Sequence, residues 1–299
     1  MNSNLCTFRE IALEDKEIID GFIARYDKQL SIYNFANLFM WGHLHKYWWM
    51  IYMDRLVLYS DIDDCTIMPL GEALTTDDLL RLSDILQKQR RKGNFCFVPI
   101  QFAQEHKPEL ERYFTLKMDE DNADYIYSTQ KLFELKGKKL HKKKNHLSQF
   151  QRENPDCLRQ KLEPRFFGEC IDLSEKWCKD KSCDIVAYAY ETDTLRRGFE
   201  YFEPLGLDGL VLLIREHVIA YAVFNRLNKN TALVHFEKYN RDIKGSGQAI
   251  NWETAQYLMG EYEFLNREQD LGLKGLRQAK QSYEPDVWAL TYRLIRKGT

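Results

Sequence analysis

The chain has 299 residues, which at roughly 150 residues per domain predicts two domains. Hydrophobic residues make up 44% and aromatic residues 13%, which excludes a disordered chain, and with 15 Gly and 7 Pro a low-complexity or collagen-like chain is excluded as well. The formal net charge of −2 excludes a uniformly basic nucleic-acid binder, so an anionic partner has to be held by a local patch.

At the start, no basic stretch is followed by an apolar run, and no signal peptide is expected. Glu14–Tyr26 then reads as a helix, with Ile18, Ile19, Phe22 and Ile23 at helical spacing. Ser31–Trp41 is a polar, aromatic segment. Trp48–Met53 and Leu56–Ser60 read as a hairpin around Asp54-Arg55, and Thr66–Leu70 as a further strand. Thr75-Thr76-Asp77-Asp78 supplies cap chemistry for a helix over Leu79–Lys92 that stops at Gly93-Asn94. Phe95–Ile100 is a strand, Gln101–Tyr113 a helix broken or bent at Pro108, and Asp124–Ser128 a closing strand. Lys136–Arg152 reads as a linking helix.

The second half repeats this order. Pro164–Lys179 and Asp193–Phe202 read as helices. Gly209–Ile214 and Val218–Leu227 form a hairpin around Arg215-Glu216-His217, followed by the strand Thr231–Lys238. The turn Gly245-Ser246-Gly247 leads into a helix over Gln248–Met259. Glu261–Asn266 is a strand, Leu273–Tyr283 a helix and Val287–Ile295 a last strand. Both halves thus run helix, helix, three strands, helix, strand, helix, strand. The expectation is an α+β protein of two similar mixed sheets flanked by helices, with units at 1–128 and 161–299 joined by a basic linking helix at 129–160.

The apolar stretches Leu210–Ile214 and Val218–Phe224 are far short of the roughly 20 residues that cross a bilayer. The seven cysteines, at 6, 65, 96, 157, 170, 178 and 183, form no Cys-x-x-Cys pair. They read as reduced core thiols of a cytoplasmic protein, and no His joins Cys170, Cys178 and Cys183 at metal spacing. His43-x-His45 reads as surface or packing. No serine-hydrolase elbow, Walker loop, zincin helix or dinucleotide fingerprint is present.

Strand, glycine turn and helix in that order resemble the acyl-CoA-binding layout of GCN5-related N-acetyltransferases (GNAT). There, turn amides and a helix N-terminus hold a pyrophosphate. Arg241-Asp242-Ile243-Lys244-Gly245-Ser246-Gly247 has one residue more than that pattern between the Arg and the first Gly. A more specific likeness covers almost the whole chain. Ser31-x-Tyr33-Asn34-Phe35-Ala36-Asn37-Leu38-Phe39-x-Trp41, Gly137-Lys138-Lys139-Leu140-His141-Lys142-Lys143-x-Asn145-His146-Leu147 and His235-Phe236-Glu237-Lys238 carry it, with Asn266-Arg267-Glu268-x-Asp270-Leu271-Gly272-x-x-Gly275-Leu276-Arg277-x-Ala279-Lys280-x-Ser282-Tyr283-x-Pro285. These resemble the bacterial family related to the C-terminal domain of lysylphosphatidylglycerol synthases. The resemblance implies two tandem GNAT-like domains, akin to Fem-type peptidyltransferases. It also implies movement of an aminoacyl group from aminoacyl-tRNA to a lipid or peptide.

Acyl transfer to an amine or hydroxyl needs a base, donors for an oxyanion, a proton for the leaving group and cations for phosphates. Period-2 geometry puts His235 and Glu237 on one strand face, with Phe236 and Lys238 on the other. Glu237 is then a general base tuned by His235, or one member of a buried pair with a nearby Arg. Tyr283 stands where acetyltransferases often hold a tyrosine general acid, or is a core tyrosine. Gly245, Ser246, Gly247, Asn266, Arg267, Arg277 and Lys280 are candidates for holding a substrate's anionic groups. Arg267 and Arg277 can instead pair with Glu268 or Asp270. Residues 136–152 carry Lys136, Lys138, Lys139, Lys142, Lys143, Lys144 and Arg152, with His141 and His146 and no acid. This run reads as a patch for tRNA or an anionic lipid surface, or as a solvated linker, with Leu140, Leu147 and Phe150 as its anchoring stripe.

The expected activity is acyl- or aminoacyl transfer in the C-terminal half, with aminoacyl-tRNA or acyl-CoA as donor and a small amine or hydroxyl acceptor. The N-terminal half would be a degenerate copy that shapes the cleft. The alternatives are an acetyl-CoA-dependent N-acetyltransferase and a non-catalytic module binding tRNA or anionic lipid. The expected location is the cytoplasm, or its membrane surface through the basic run.

Overall fold

A computed structural model describes residues 7–26, 28–72, 74–180 and 185–298. Cys6, Cys183, the Cys178 side chain and the first residues, where a leader would begin, lie outside the described residues. Twelve strands are described. Their bounds are β1 Arg9–Glu10, β2 Tyr47–Tyr52, β3 Arg55–Ser60, β4 Cys65–Leu70, β5 Asn94–Pro99, β6 Phe114–Ser128, β7 Leu158–Lys161, β8 Asp208–Ile214, β9 His217–Arg226, β10 Thr231–Tyr239, β11 Phe264–Asn266 and β12 Val287–Arg296.

The two mixed sheets expected from the repeat are joined into one, in the order β1-β2-β3-β4-β5-β12-β6-β11-β10-β9-β8-β7. The junction is an exchange of closing strands. β12, the last strand of the chain, lies between β5 and β6, and β6 lies between β12 and β11. Each half contributes one parallel pair, β4 with β5 and β10 with β11. The other contacts are antiparallel.

Helices cover both faces because the strands alternate apolar side chains to either side. On one face, Ile19, Phe35, Leu38, Trp49 and Ile67 of the first half share a core with Cys170, Leu195, Tyr221 and Phe236 of the second. The other face carries two separate cores. One gathers Leu79, Leu82 and Leu110 under the helices Thr76–Lys88 and Lys107–Tyr113. The other gathers Leu147, Phe150, Ile250 and Leu258 under His141–Glu153 and Ser246–Leu258.

Local chemistry accounts for several boundaries. Thr75 caps Thr76–Lys88 in a reciprocal box with Asp78. Pro108 stands at the start of Lys107–Tyr113, so the expected bend is a junction with the helix Ile100–Glu105. The segment read as polar and aromatic folds as the helix Phe35–His45, capped by Asn34. Residues 35 to 40 are all buried, so the segment has no one-sided stripe to read. The linking helix is shorter than expected. Thr129–Glu134 and His141–Glu153 flank a turn at Gly137 (φ 95°), and residues 158–161 form β7.

Candidate active site

The site is built where a parallel pair ends. β10 and β11 are paired only over Thr231–Leu233 and Phe264–Asn266. The equivalent pair in the first half runs over Cys65–Ile67 and Asn94–Cys96. Past that fork, the first half continues as Met68-Pro69-Leu70 and Phe97-Val98, with no ionisable side chain. The second half continues through His235 and Glu237 on one strand and Arg267 and Glu268 on the other. The two forks share a backbone plan and differ in chemistry.

A bulge corrects the expected faces. The register of β10 against β9 shifts between Val234 and Phe236, so His235 is the extra residue. His235 and Glu237 therefore address opposite sides of the sheet. His235 places Nδ1 3.0 Å from Glu268 Oε1 and Nε2 3.0 Å from Asn225 Oδ1. Asn37 of the helix Phe35–His45 donates to the same Glu268 oxygen at 2.9 Å. On the other side, Arg267 Nη2 donates to Glu237 Oε1 at 2.8 Å, and Asn251 lies 3.3 Å from Glu237 Oε2. His235 is thus not placed to tune Glu237 directly. Glu268 has φ 57°, a left-handed conformation, just after Arg267 and at the point where the two side chains reach to opposite faces.

The Arg267 guanidinium lies 5.2 Å from the ring centroid of Tyr283 and 5.7 Å from that of Tyr127. Tyr283 is buried, and burial pushes its phenol well above the usual tyrosine range despite the opposing charge of Arg267. Lys143 of the basic helix places Nζ 4.3 Å from the centroid of the same Tyr283 ring. Desolvation, with the like charge of Arg267, lowers the Lys143 pKa. The basic run is therefore divided. Lys138, Lys142 and Lys144 face solvent, Lys139 pairs with Glu284 at 2.7 Å, and Lys143 points inward. Leu140, Leu147 and Phe150 are buried and anchor the segment. Beside its start, Lys136, Lys138, His141 and Lys144 line an open cavity of about 400 Å³ with Leu135 and Gly137.

Other sequence candidates brace the fork. Asn266 is fully buried, donates to Asp124 at 2.7 Å and to the Gln29 carbonyl at 2.8 Å, and accepts from the Glu268 amide. Asp124 also accepts from the amide and hydroxyl of Ser31 and from Gln269. Arg277 binds both oxygens of buried Asp270, at 2.8 and 2.9 Å, and reaches Asp121 at 2.8 Å. Burial raises the Asp270 carboxyl, but its bonds with Arg277 and Tyr125 hold it below the usual range. Gly245, at φ 85°, packs so closely that a Cβ would fall 2.6 Å from the His146 carbonyl; one on Gly247 would fall 2.6 Å from the Tyr239 ring. Ser246 Oγ donates to the Asn240 and Ile243 carbonyls at 2.7 and 2.8 Å. The basic helix and Tyr239 thus account for the glycines of this turn.

Lys280 is buried under the loop after β11, where its ammonium donates to the carbonyls of Arg267, at 2.7 Å, and Gln269. Desolvation and the charge of Arg267 lower its pKa to about 8. From there to the ordinary lysine range, near pH 10, the folded chain binds fewer protons than the unfolded chain. Stability therefore rises with pH across that window. Lys280→Met is expected to lose that rise. Denaturant midpoints at about pH 7 and about pH 9.5 check this, and an equal rise in both proteins would contradict it.

Sequence reasoning missed Asn37, Asn225, Asn251, Ser31 and Asp124 as members of this network. Asn37 and Ser31 lie within a motif of the family resemblance, but no local pattern pairs Ser31 with a carboxylate 93 positions away. Among the described residues no metal-ligand cluster is formed, and no helix is long and apolar enough to cross a membrane.

Comparison with known proteins agrees with this architecture. The family described as phosphatidylglycerol lysyltransferase, C-terminal, matches residues 23–295. The crystal structure of a conserved protein of unknown function from Bacteroides thetaiotaomicron VPI-5482 is 31% identical, with a TM-score of 0.90 over 98% of this chain and 100% of that one. The structure of L-PGS from Bacillus licheniformis shares the fold at 16% identity, with a TM-score of 0.63 over 97% and 94% of the two chains. An uncharacterised protein of Mycoplasmoides gallisepticum is 25% identical over 177 residues, 56% of this chain and 54% of that protein, so the match spans about half the length of that relative. With its mixed sheet, its helices on both faces and its repeated parallel fork, the tandem GNAT-like chain belongs to the phosphatidylglycerol lysyltransferase C-terminal family.

Proposed function

We propose that the protein is an aminoacyltransferase that moves an aminoacyl group from aminoacyl-tRNA to an amine or hydroxyl of a lipid or peptide acceptor. The observation that carries this reading is the continuity from the basic helix to the fork. Lys143 and Arg267 meet at Tyr283, and Arg267 holds Glu237. A polyanion on the exposed lysines would thus present its end beside a carboxylate. In this reading Glu237 takes the proton of the acceptor as it attacks the ester carbonyl. Arg267 stabilises the developing oxyanion, and Tyr283, its phenol held protonated by burial, returns a proton to the departing ribose hydroxyl.

The packing of His146 and Phe150 against Gly245 speaks against acyl-CoA as donor, because the turn that would cradle its pyrophosphate is seated on the basic helix. One observation favours a second reading, a non-catalytic module for tRNA or anionic lipid: Glu237 is already engaged by Arg267.

Parallel titration with charged tRNA, an acyl-CoA and anionic vesicles at two salt concentrations tests the donor. Charged tRNA is expected to bind, and its affinity to fall steeply with salt as lysine–phosphate contacts release counterions. Saturable acyl-CoA binding without tRNA binding would overturn the proposal.

A further inference from the structure

The side of the fork opposite Glu237 carries a closed ring of hydrogen bonds that the proposed transfer does not use. Glu268 Oε1 accepts from Asn37 Nδ2 at 2.9 Å and stands 3.0 Å from His235 Nδ1. Nε2 of that fully buried imidazole stands 3.0 Å from Asn225 Oδ1. Asn225 Oδ1 also accepts from Asn34 Nδ2 at 3.2 Å, and Asn34 Oδ1 accepts from the Asn37 amide at 3.0 Å, which closes the ring. Asn34 and Asn37 belong to the first half of the chain, and Asn225, His235 and Glu268 to the second. Lys280 and Asp124 also act on Glu268, with opposite charges. Their own hydrogen bonds go elsewhere, from Lys280 to the Arg267 and Gln269 carbonyls and to Asp124 from Ser31, Asn266 and Gln269.

The ring grips a residue in a costly backbone conformation. Glu268 sits at φ 57°, which glycine takes freely and other residues take against a steric clash. Its amide donates to Asn266 Oδ1 and its carbonyl accepts from the Tyr125 amide, and neither bond needs the Glu268 side chain. The bonds of its carboxylate offset the cost of the turn. They also give the β10 bulge a purpose, because the extra residue there is His235. The turn fixes the chain immediately after Arg267, whose guanidinium holds Glu237 on the other face. We infer that Glu268 is a positioning residue: Asn37 of the first half and His235 hold its carboxylate, and through this turn they keep Arg267 aimed at Glu237. The inference rests on the transferase reading for its kinetic readout alone, and it gives the first half a part in the site.

Glu268→Gly and Glu268→Ala separate positioning from direct contact with substrate. Both lose the carboxylate, but glycine takes the left-handed turn without it. Single-turnover transfer from charged tRNA is expected to stay within about threefold of wild type in Glu268→Gly and to slow about tenfold in Glu268→Ala, the fold-change that the left-handed penalty sets. Affinity for tRNA should be unchanged in both. Asn37→Ala should also slow transfer, and should add nothing on top of Glu268→Gly; that pair carries the comparison if Glu268→Ala does not fold. A second readout needs no transfer. The coupling between Arg267→Met and Glu237→Leu in denaturant unfolding should persist in the Glu268→Gly background and fall in the Glu268→Ala or Asn37→Ala background. Equal slowing by Glu268→Gly and Glu268→Ala, or equal coupling in the compared backgrounds, would overturn the positioning role. No transfer by the wild type, with coupling that persists only in the glycine background, would reject the transferase reading and leave the positioning role standing; transfer by the wild type with equal coupling would do the reverse.

Discussion

Replacing Arg267 by methionine is expected to destabilise the fold by about 3 kcal/mol, the scale for removing one partner of a buried ion pair. The guanidinium is 13% exposed and the Glu237 carboxylate 12%, so water screens the pair poorly. In Arg267→Met the poorly exposed carboxylate keeps, among the described residues, a hydrogen-bond partner in Asn251 and the charge of Lys143 nearby. The stem of Met retains much of the packing against Tyr127 and Tyr283, so the loss reports the charge rather than a cavity. The double variant Arg267→Met with Glu237→Leu is expected to regain most of the loss, because an apolar pair of similar volume needs no compensation. Denaturant unfolding of the two single variants and the double variant checks this. Additive losses would show that the pair is not coupled.

Where neighbours in sequence determine the outcome, the residues were readable. Thr75 and Asp78 announce the helix they cap, and Leu140, Leu147 and Phe150 announce the buried side of the basic helix. The pairing of Arg277 with Asp270, seven positions apart, was among the readings open from sequence, and it forms. What stayed hidden depends on distant contacts or on a one-residue change of register. One inserted residue at His235 reverses the alternation of β10, and nothing in Ala-Leu-Val-His-Phe-Glu-Lys marks it. The exchange of β6 and β12 joins strands more than 150 residues apart in sequence, such as Tyr125 and Trp288. The glycine turn was legible as a turn, but its reason was not. Gly245 is required by the His146 carbonyl, which lies on a different helix.

Substituting glutamine for Glu237 is expected to slow aminoacyl transfer by about 10²- to 10⁴-fold, the usual worth of a positioned general base. Glutamine keeps the length of the side chain and a carbonyl oxygen for Arg267, but it cannot take up the acceptor's proton. The exposed lysines of the basic helix are untouched, so donor binding should persist. Single-turnover transfer from charged tRNA at saturating protein, with tRNA affinity measured on the same samples, separates the two effects. The account predicts a collapsed rate with unchanged affinity. Transfer at the wild-type rate by Glu237→Gln would contradict it.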